Sequence, residues 1–337
     1  MFYIGLDIGG TKCAVCIGEV QNGTLALIDK DKFATGKGRD PHEVMGELYT
    51  HAVSLLGAHG MTFSDISGIG ISCGGPLDAK AGVILSPPNL PGWDHIEIVS
   101  YFEEKTGVKT YLQNDANACA VAEWKFGAGR NPETGKCVEN MVFCTFGTGF
   151  GAGLILGGKL YSGTSDMAGE VGHLRLVRES ESRGEKLPIG YNKYGSAEGY
   201  CSGGGIAQLG CFAVENALAR GESPRLWEEA GHDYANITAK LIGDLADDGD
   251  ALSFSIYAMC GEKLGETLSV LVDLLNPSLI VLGGIFMRSA HLIRPKMEEV
   301  MRRETLAFAN DVCTVVPAGL GETIGDYAAL SVAVGDF

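Results

Sequence analysis

The sequence predicts an α/β protein made of two related halves, each opening on an apolar strand that runs into a glycine turn. The first is Phe2-Tyr3-Ile4-Gly5-Leu6-Asp7-Ile8-Gly9-Gly10-Thr11-Lys12, continued by a second apolar strand through Ala14, Val15 and Ile17. The second is Met141-Val142-Phe143 leading into Thr145-Phe146-Gly147-Thr148-Gly149-Phe150-Gly151-Ala152-Gly153, followed by the apolar run Leu154-Ile155-Leu156. A third apolar strand, Leu279 to Leu282, ends on Gly283-Gly284. Short apolar runs bounded by glycine read as strands, and a hairpin repeated at the head of each half reads as internal duplication. Glycines remove side chains and let an anion reach the backbone N–H groups. Three such turns in one chain point to a nucleotide cleft rather than to three unrelated loops.

Composition sets the limits around that frame. With 337 residues, 45% of them hydrophobic, the chain has room for two domains and a substantial core. The formal net charge of −16 argues against nucleic acid as a partner, because phosphate binding needs clustered Lys and Arg. An anionic nucleotide stays compatible, since backbone N–H groups and Mg²⁺ supply positive field locally. No signal peptide is expected ahead of the first strand. The apolar helix near 250–275 carries Glu262, Lys263, Glu266 and Asp273, so no membrane span is expected. Ten cysteines scattered through strands and helices fit a reducing cytoplasm, most of them as small buried hydrophobes.

In chain order, Asp7 comes first. It sits in an apolar strand just before the turn, either as a turn-capping acid or as a carboxylate that holds Mg²⁺ through its water beside a phosphate. Gly5 to Lys12 nearly spells a P-loop, but the order is Gly-Thr-Lys, and a strand follows where a P-loop needs a helix. Cys13 and Cys16 have metal-like spacing, yet three apart in a strand they point to opposite faces. Asp40-Pro41-His42-Glu43 then supplies an N-cap, a first-turn proline and a capping-box acid, with Val44, Leu48, Ala52 and Leu55 as the buried stripe and Gly60 as the stop. Ile66 to Ser72 is a strand followed by the turn Gly74-Gly75-Pro76. The proline-rich Pro87 to Trp93 is expected as a fixed loop presenting Asn89 and Trp93.

Tyr111-Leu112-Gln113-Asn114-Asp115-Ala116-Asn117 is a strand giving way to a helix that runs to about Gly127. Asp115 falls near its N-cap, where acids commonly only cap. The same geometry serves catalysis: helix N–H groups and the macrodipole favour the ionised carboxylate, and an ionised carboxylate in reach of a hydroxyl is a general base. Helices are expected near 204–219, 236–248, 250–275, 289–305 and 321–333, with a strand at 312–316. The acidic run 243–250 lacks the terminal acid of a calcium loop and reads as a solvated helix end.

Five motifs now stand in order: Gly5-Leu6-Asp7-Ile8-Gly9-Gly10-Thr11-Lys12, Gln113-Asn114-Asp115-Ala116-Asn117, Gly147-Thr148-Gly149-Phe150-Gly151, Glu170-Val171-Gly172-His173 and Leu282-Gly283-Gly284. In this order the chain resembles, over nearly its whole length, the ROK family of bacterial sugar kinases and related repressors within the actin-like, hexokinase-like ATPase superfamily. The resemblance implies a two-domain actin-like ATPase (ribonuclease H-like) α/β fold with a cleft between domains. The smaller domain is expected at residues 1–118 plus 321–337 and the larger at 119–320.

The resemblance also implies roles. Asp115 is the base that takes the proton from a sugar hydroxyl. Asp7, Gly9, Gly10, Thr11 and Lys12, with Gly147, Thr148 and Gly149, hold Mg²⁺ and the ATP phosphates, while Gly283 and Gly284 back the adenosine. Asn114, Asp115, Glu170, His173 and Glu198 resemble the sugar-binding set, with Gly75 and Asn89 added. ATP and Mg²⁺ are the implied cofactors, and the implied assembly is a homodimer with a small-molecule sugar as its partner. Which sugar stays open among glucose, N-acetylmannosamine, N-acetylglucosamine, fructose and a β-glucoside.

One departure stands out. Many family members hold a structural zinc with a histidine and three cysteines in the form Cys-x-Cys-Gly-x-x-Gly-Cys-x-Glu. Aligned on Gly195 and Glu198, the cysteine positions here are Ile189, Tyr191 and Ser196, leaving only His173, and Cys201 lies beyond the motif. Isoleucine, tyrosine and serine are poor zinc ligands, so no zinc is expected. Packing of Ile189, Tyr191 and Tyr194, with the tyrosine hydroxyls bonded locally, is expected to hold the loop instead. Three classes compete: a hexose kinase, a sugar-responsive repressor, and a non-catalytic sensor or actin-like structural protein. Met1 directly precedes the first strand, so no helix-turn-helix is expected, and the Asp115 and Glu170 set favours the kinase.

Overall fold

The computed structural model describes residues 1–182 and 184–335. The chain falls into two compact units: Met1–Phe143, Gly153–Gly169 and the chain from Ala318 form the first, and Cys144–Ala152 with Glu170–Pro317 the second. The boundary expected at 118/119 would cut a helix that lies whole in the first unit.

The first unit is built on a five-stranded sheet. Strands β1 (Phe2–Ile8), β2 (Lys12–Gln21) and β3 (Thr24–Ala34) form an antiparallel meander. Helix α1 (Pro41–Ala58) follows, then β4 (Ile66–Cys73), the two-residue strands β5 (Leu77–Asp78) and β6 (Val83–Ile84), α2 (Ile98–Thr106), β7 (Thr110–Asn114) and α3 (Asp115–Phe126). Strands β4 and β7 join in parallel, giving the order β3-β2-β1-β4-β7. Asp40 caps α1 by accepting from the His42 N–H at 2.7 Å, and Pro41 opens it. Its stripe of Val44, Met45, Leu48, Ala52, Leu55 and Leu56 is buried on one face of the sheet. Leu48→Ala there would cost about 2–5 kcal/mol.

On the other face lies the C-terminal helix Ile324–Val334, packed against α3 through Ala118, Ala328 and Val332. It approaches so closely that a Cβ at Gly70 would stand 2.1 Å from the Ala329 carbonyl oxygen. Cys13 and Cys16 do take opposite faces, Cys13 toward the α1 core and Cys16 toward the C-terminal helix. Trp93 is a correction: it is 2% exposed and part of the α1 core. The 87–93 loop therefore anchors through its indole and presents Asn89 alone, which hydrophobic burial favours for so large a ring.

Strands β8 (Met141–Cys144), β9 (Ala152–Leu156) and β10 (Lys159–Tyr161) follow, β9 and β10 pairing antiparallel. The second unit then holds the hairpin of β11 (Ile189–Gly190) and β12 (Lys193–Tyr194) and helices α4 (Ala197–Tyr200), α5 (Gly203–Ala219), α6 (Arg225–Glu229), α7 (Ala239–Asp247) and α8 (Ala251–Leu275). After these come β13 (Leu279–Leu282), α9 (Ile285–Glu304), α10 (Ala307–Val312) and β14 (Thr314–Pro317), with β13 and β14 parallel. The last strand, expected from 312, begins two residues later, because α10 runs through Val312. The acidic run is a helix end, as read: α7 stops at Asp247, and Asp250 caps α8 by accepting from the Ser253 N–H. The C-terminal helix is α11. Among the described residues no helix is long and apolar enough to cross a membrane.

Candidate active site

In the first unit the site forms where β1, β4 and β7 end. Asp7 is paired in register with Ala14 of β2 and Ser72 of β4, one residue from the turn. The Gly9 N–H closes that turn on the Lys12 carbonyl at 3.1 Å. Thr35, the residue after β3, braces it, its hydroxyl donating to the Gly9 carbonyl at 2.6 Å and its N–H to that of Thr11 at 3.0 Å. Among the described residues the N–H groups of Gly10 and Thr11 meet no acceptor, so they are open to an anion.

Asn114, not Asp115, is the N-cap of α3: its side chain accepts from the Ala116 N–H at 3.0 Å. Asp115 is the first helical residue, and its Oδ1 shares that N–H at 2.8 Å. A Cβ at Gly75 would stand 3.1 Å from Asn114 Nδ2, one at Gly74 3.3 Å from the Asn89 amide, and one at Gly10 2.5 Å from the Asn89 carbonyl oxygen. Gly10, Gly75, Asn89 and Asn114 thus lie together.

The carboxylates of this cluster perturb one another. Burial, then the charges of Asp115 and Asp326, push the Asp7 carboxyl up to about 7, against the opposing pull of Lys12 and Lys32. Burial also raises Asp115, opposed by the hydrogen bond from Ala116. An acid held near neutrality by burial, and further by neighbouring acids, suits a hard cation whose charge offsets both costs. Asp7 therefore fits the Mg²⁺ role with hard oxygen donors, and the paired N–H groups fit phosphate.

In the second unit the glycine loop is shaped by its own bonds. The Gly147 N–H donates to Gly149 O at 3.1 Å, Gly151 N–H to Thr145 Oγ1 at 2.9 Å, and Phe150 N–H to Glu198 Oε2 at 3.1 Å. The expected free N–H groups are therefore fewer than the glycine pattern suggests, with Thr148 and Gly149 left open among the described residues. Below the loop the Gly283 N–H donates to Cys144 O at 3.0 Å and Ile285 N–H to Phe146 O. Gly284 adopts φ +57°, and a Cβ there would stand 2.0 Å from the Phe146 carbonyl oxygen. A pocket of about 800 Å³, lined by Gly147, Thr148, Gly203, Tyr257, Ile285 and Arg288, opens beside the first turns of α5 and α9. Its size suits a nucleoside.

Glu170 is exposed and precedes the short turn Val171–His173. The His173 ring meets the Tyr191 ring edge-on, centroids 4.6 Å apart. The loop at the expected zinc position is held differently from the sequence reading. Ile189, Tyr191 and Tyr194 are 37%, 55% and 47% exposed, so their packing does not hold it. Polar clamps do. Gln208 bonds both the N–H and the carbonyl of Ile189 at 2.9 Å, and Arg175 donates to Tyr194 O at 2.9 Å. The Lys193 ammonium donates to the His173 carbonyl, and Ser196 caps α4 while donating to Gly190 O at 3.2 Å. Among the described residues no cluster of His, Cys, Asp and Glu has metal-binding geometry.

The geometry can be set beside known proteins. Residues 3–334 match the ROK family. This chain belongs to the ROK family. A glucokinase of Halalkalibacterium halodurans is 30% identical over 84% of the chain and 80% of its own length. A xylose repressor of Caldicellulosiruptor bescii is 26% identical over 90% of the chain and 70% of its own. The structure of a ROK family glucokinase from Streptomyces griseus in complex with glucose and AMPPNP superposes with a TM-score of 0.75 at 26% identity, covering 100% of both chains. The fold is thus the actin-like ATPase fold of ROK sugar kinases.

Within this ROK protein the sequence reading missed residues that act through others. Gln113 Oε1 accepts from the Asn114 N–H at 2.8 Å and from Asn117 Nδ2 at 3.1 Å, which stiffens the turn that carries Asp115. Both lie inside the motif already quoted, so the signal was present. Asp326, which pairs with Lys30 at 2.7 Å and bears on Asp7, gave none, since only folding brings it near.

Proposed function

We propose that the chain is an ATP-dependent sugar kinase that transfers the γ-phosphate of ATP to a hexose hydroxyl, the 6-OH, with glucose as the leading acceptor. The observation that carries this reading is Asp115: a carboxylate on the first turn of α3, set with Asn114, Gly75 and Asn89, with its proton affinity raised by desolvation. A carboxylate with raised proton affinity accepts a hydroxyl proton more readily. Asn89, Asn114, Glu170, His173 and Glu198 supply donors and acceptors for neutral hydroxyls, and an analogue lacking a hydroxyl leaves them unpaired. The open N–H groups of Gly10, Thr11, Thr148 and Gly149 orient phosphate oxygens, and Asp7 would hold the Mg²⁺. That ion, when bound, neutralises charge on the transferring phosphoryl group. Positioning by these groups is most of what phosphoryl transfer asks of a protein.

The glucokinase relative supports glucose, while an N-acetylmannosamine kinase of Escherichia fergusonii, 31% identical over 81% of this chain, supports N-acetylmannosamine as the main alternative. The repressor relative favours a second reading, sugar-responsive DNA binding without catalysis. ADP release by the purified chain with MgATP and a panel of these sugars separates them. Hexose-dependent ADP release is expected. ADP formation that no sugar raises above the sugar-free rate, with salt-sensitive and sequence-selective duplex binding, would favour the repressor.

A further inference from the structure

We propose that Glu123 is a positioning residue for this transfer. It latches the lead-in of α11 to the far end of α3 and so sets the spacing between Asp115 and Asp7. The inference rests on the kinase reading above. Glu123 is 0% exposed, a rare place for a carboxylate. Its partners are backbone amides: Ala128 N–H at 2.8 Å and Gly319 N–H at 3.0 Å to Oε2, and Leu320 N–H at 2.8 Å to Oε1. A buried carboxylate is tolerable when several such donors satisfy it.

The surroundings are cut to fit. A Cβ at Gly127 would stand 2.2 Å from Glu123 Oε2, and one at Gly319 would stand 2.9 Å from the Ala128 nitrogen and 3.4 Å from the same oxygen. The chain re-enters the first unit at Ala318, so the latch grips it at its first residues there. Both ends of what it joins reach the site. Helix α3 begins with Asp115, two turns before Glu123. Helix α11 begins beside Asp7: a Cβ at Gly325 would stand 3.7 Å from Asp7 Oδ2. Between them Ala118 packs on Ala328 and Val332 in one register of the two helices. The latch fixes that register.

Glu123→Gln keeps the shape but turns an NH₂ donor toward an N–H donor. The expected result is faster hydrogen exchange at Ala128, Gly319 and Leu320, displaced backbone amide NMR signals of Asp7 and Asp115, and a higher Mg²⁺ requirement. kcat should fall roughly tenfold while the sugar KM changes less than about threefold. Leu268→Ala, a core change in α8 of the second unit, controls for lost stability and should leave the Mg²⁺ requirement and those two signals unchanged. If Glu123→Gln fails to fold, Glu123→Asp takes its place, with the same shifts in smaller degree. Faster exchange with unmoved Asp7 and Asp115 signals and an unmoved Mg²⁺ requirement, or the same shifts in Leu268→Ala, would overturn the proposal. The exchange and the amide signals need no turnover: a wild-type protein inactive toward every sugar would sink the kinase reading, while the Asp7 and Asp115 signals would still decide whether the latch acts on the site.

Discussion

The two glycine turns look alike in sequence and are held in opposite ways. The Gly9–Lys12 turn is braced by the backbone and hydroxyl of Thr35, the residue after β3. The Gly147–Gly151 loop depends on a carboxylate delivered from α4, Glu198, across 48 residues of sequence. Each leaves two consecutive N–H groups open, Gly10 and Thr11 in one and Thr148 and Gly149 in the other. The first turn thus lies beside the acids Asp7 and Asp115, while the second takes an acid, Glu198, into its own hydrogen bonding.

That contrast breaks most sharply at Asp115. Asp115→Asn leaves the Asn114 cap in place and should fold normally, yet kcat should fall roughly 10²-fold or more. Nucleotide affinity, read by calorimetry, should stay near the wild-type value.

Glu198→Gln tests the second unit's brace. Exchanging a charged acceptor for a neutral amide oxygen weakens that bond by about 1 kcal/mol, so kcat/KM should fall roughly fivefold. Exchange of the Phe150 amide should quicken. If Phe150 stays protected while activity falls, Glu198 acts on the sugar alone and the contrast fails.

Asp7 sharpens the comparison through pH. Its folded carboxyl titrates near 7 against an ordinary 3.8, so the metal-free folded state binds the proton more tightly than the unfolded chain. Stability from this group is therefore present at low pH and is lost as pH rises from about 4 to 7. Mg²⁺ competes with that proton, so its affinity should rise across the same interval. Asp7→Asn should raise the melting temperature of the metal-free protein at pH 7.5 and flatten the pH dependence of Mg²⁺ binding. Its loss of activity should be partly recovered at high Mg²⁺. A defect insensitive to Mg²⁺ would count against the metal role.

The smallest effects lie in the loop that the family's zinc would hold. Gln208→Ala should cost about 1–3 kcal/mol by stripping two backbone partners, whereas Tyr194→Ser should stay within about 0.5 kcal/mol. Metal analysis of protein purified without chelator should find no stoichiometric zinc. One zinc per chain, lost together with activity on stripping, would refute that expectation.

Much of this was legible in the sequence because the motifs are local. The strand–turn–strand of Phe2 to Ile17, the capped start of α1 and the strand-to-helix turn at Asp115 each depend on neighbours a few residues away. What was not legible depends on distance. Trp93 read as a presented ring because proline-rich loops are usually exposed, and tertiary burial decided otherwise. Ile189, Tyr191 and Tyr194 read as packing because they are apolar, whereas Gln208, in another helix, holds the loop. Glu123 and Asp326 carry no local signature at all; their partners lie nearly 200 and 296 residues away.

The most direct test is the product itself. Wild-type protein incubated with MgATP and glucose should give, by ³¹P NMR, one new phosphomonoester signal assignable to the 6-position, growing in step with ADP. Asp115→Asn, at equal concentration and over the same time, should give next to none. A phosphomonoester formed by the variant at a wild-type rate would remove Asp115 from the chemistry. No phosphomonoester from wild-type protein with any sugar of the panel would contradict the account as a whole.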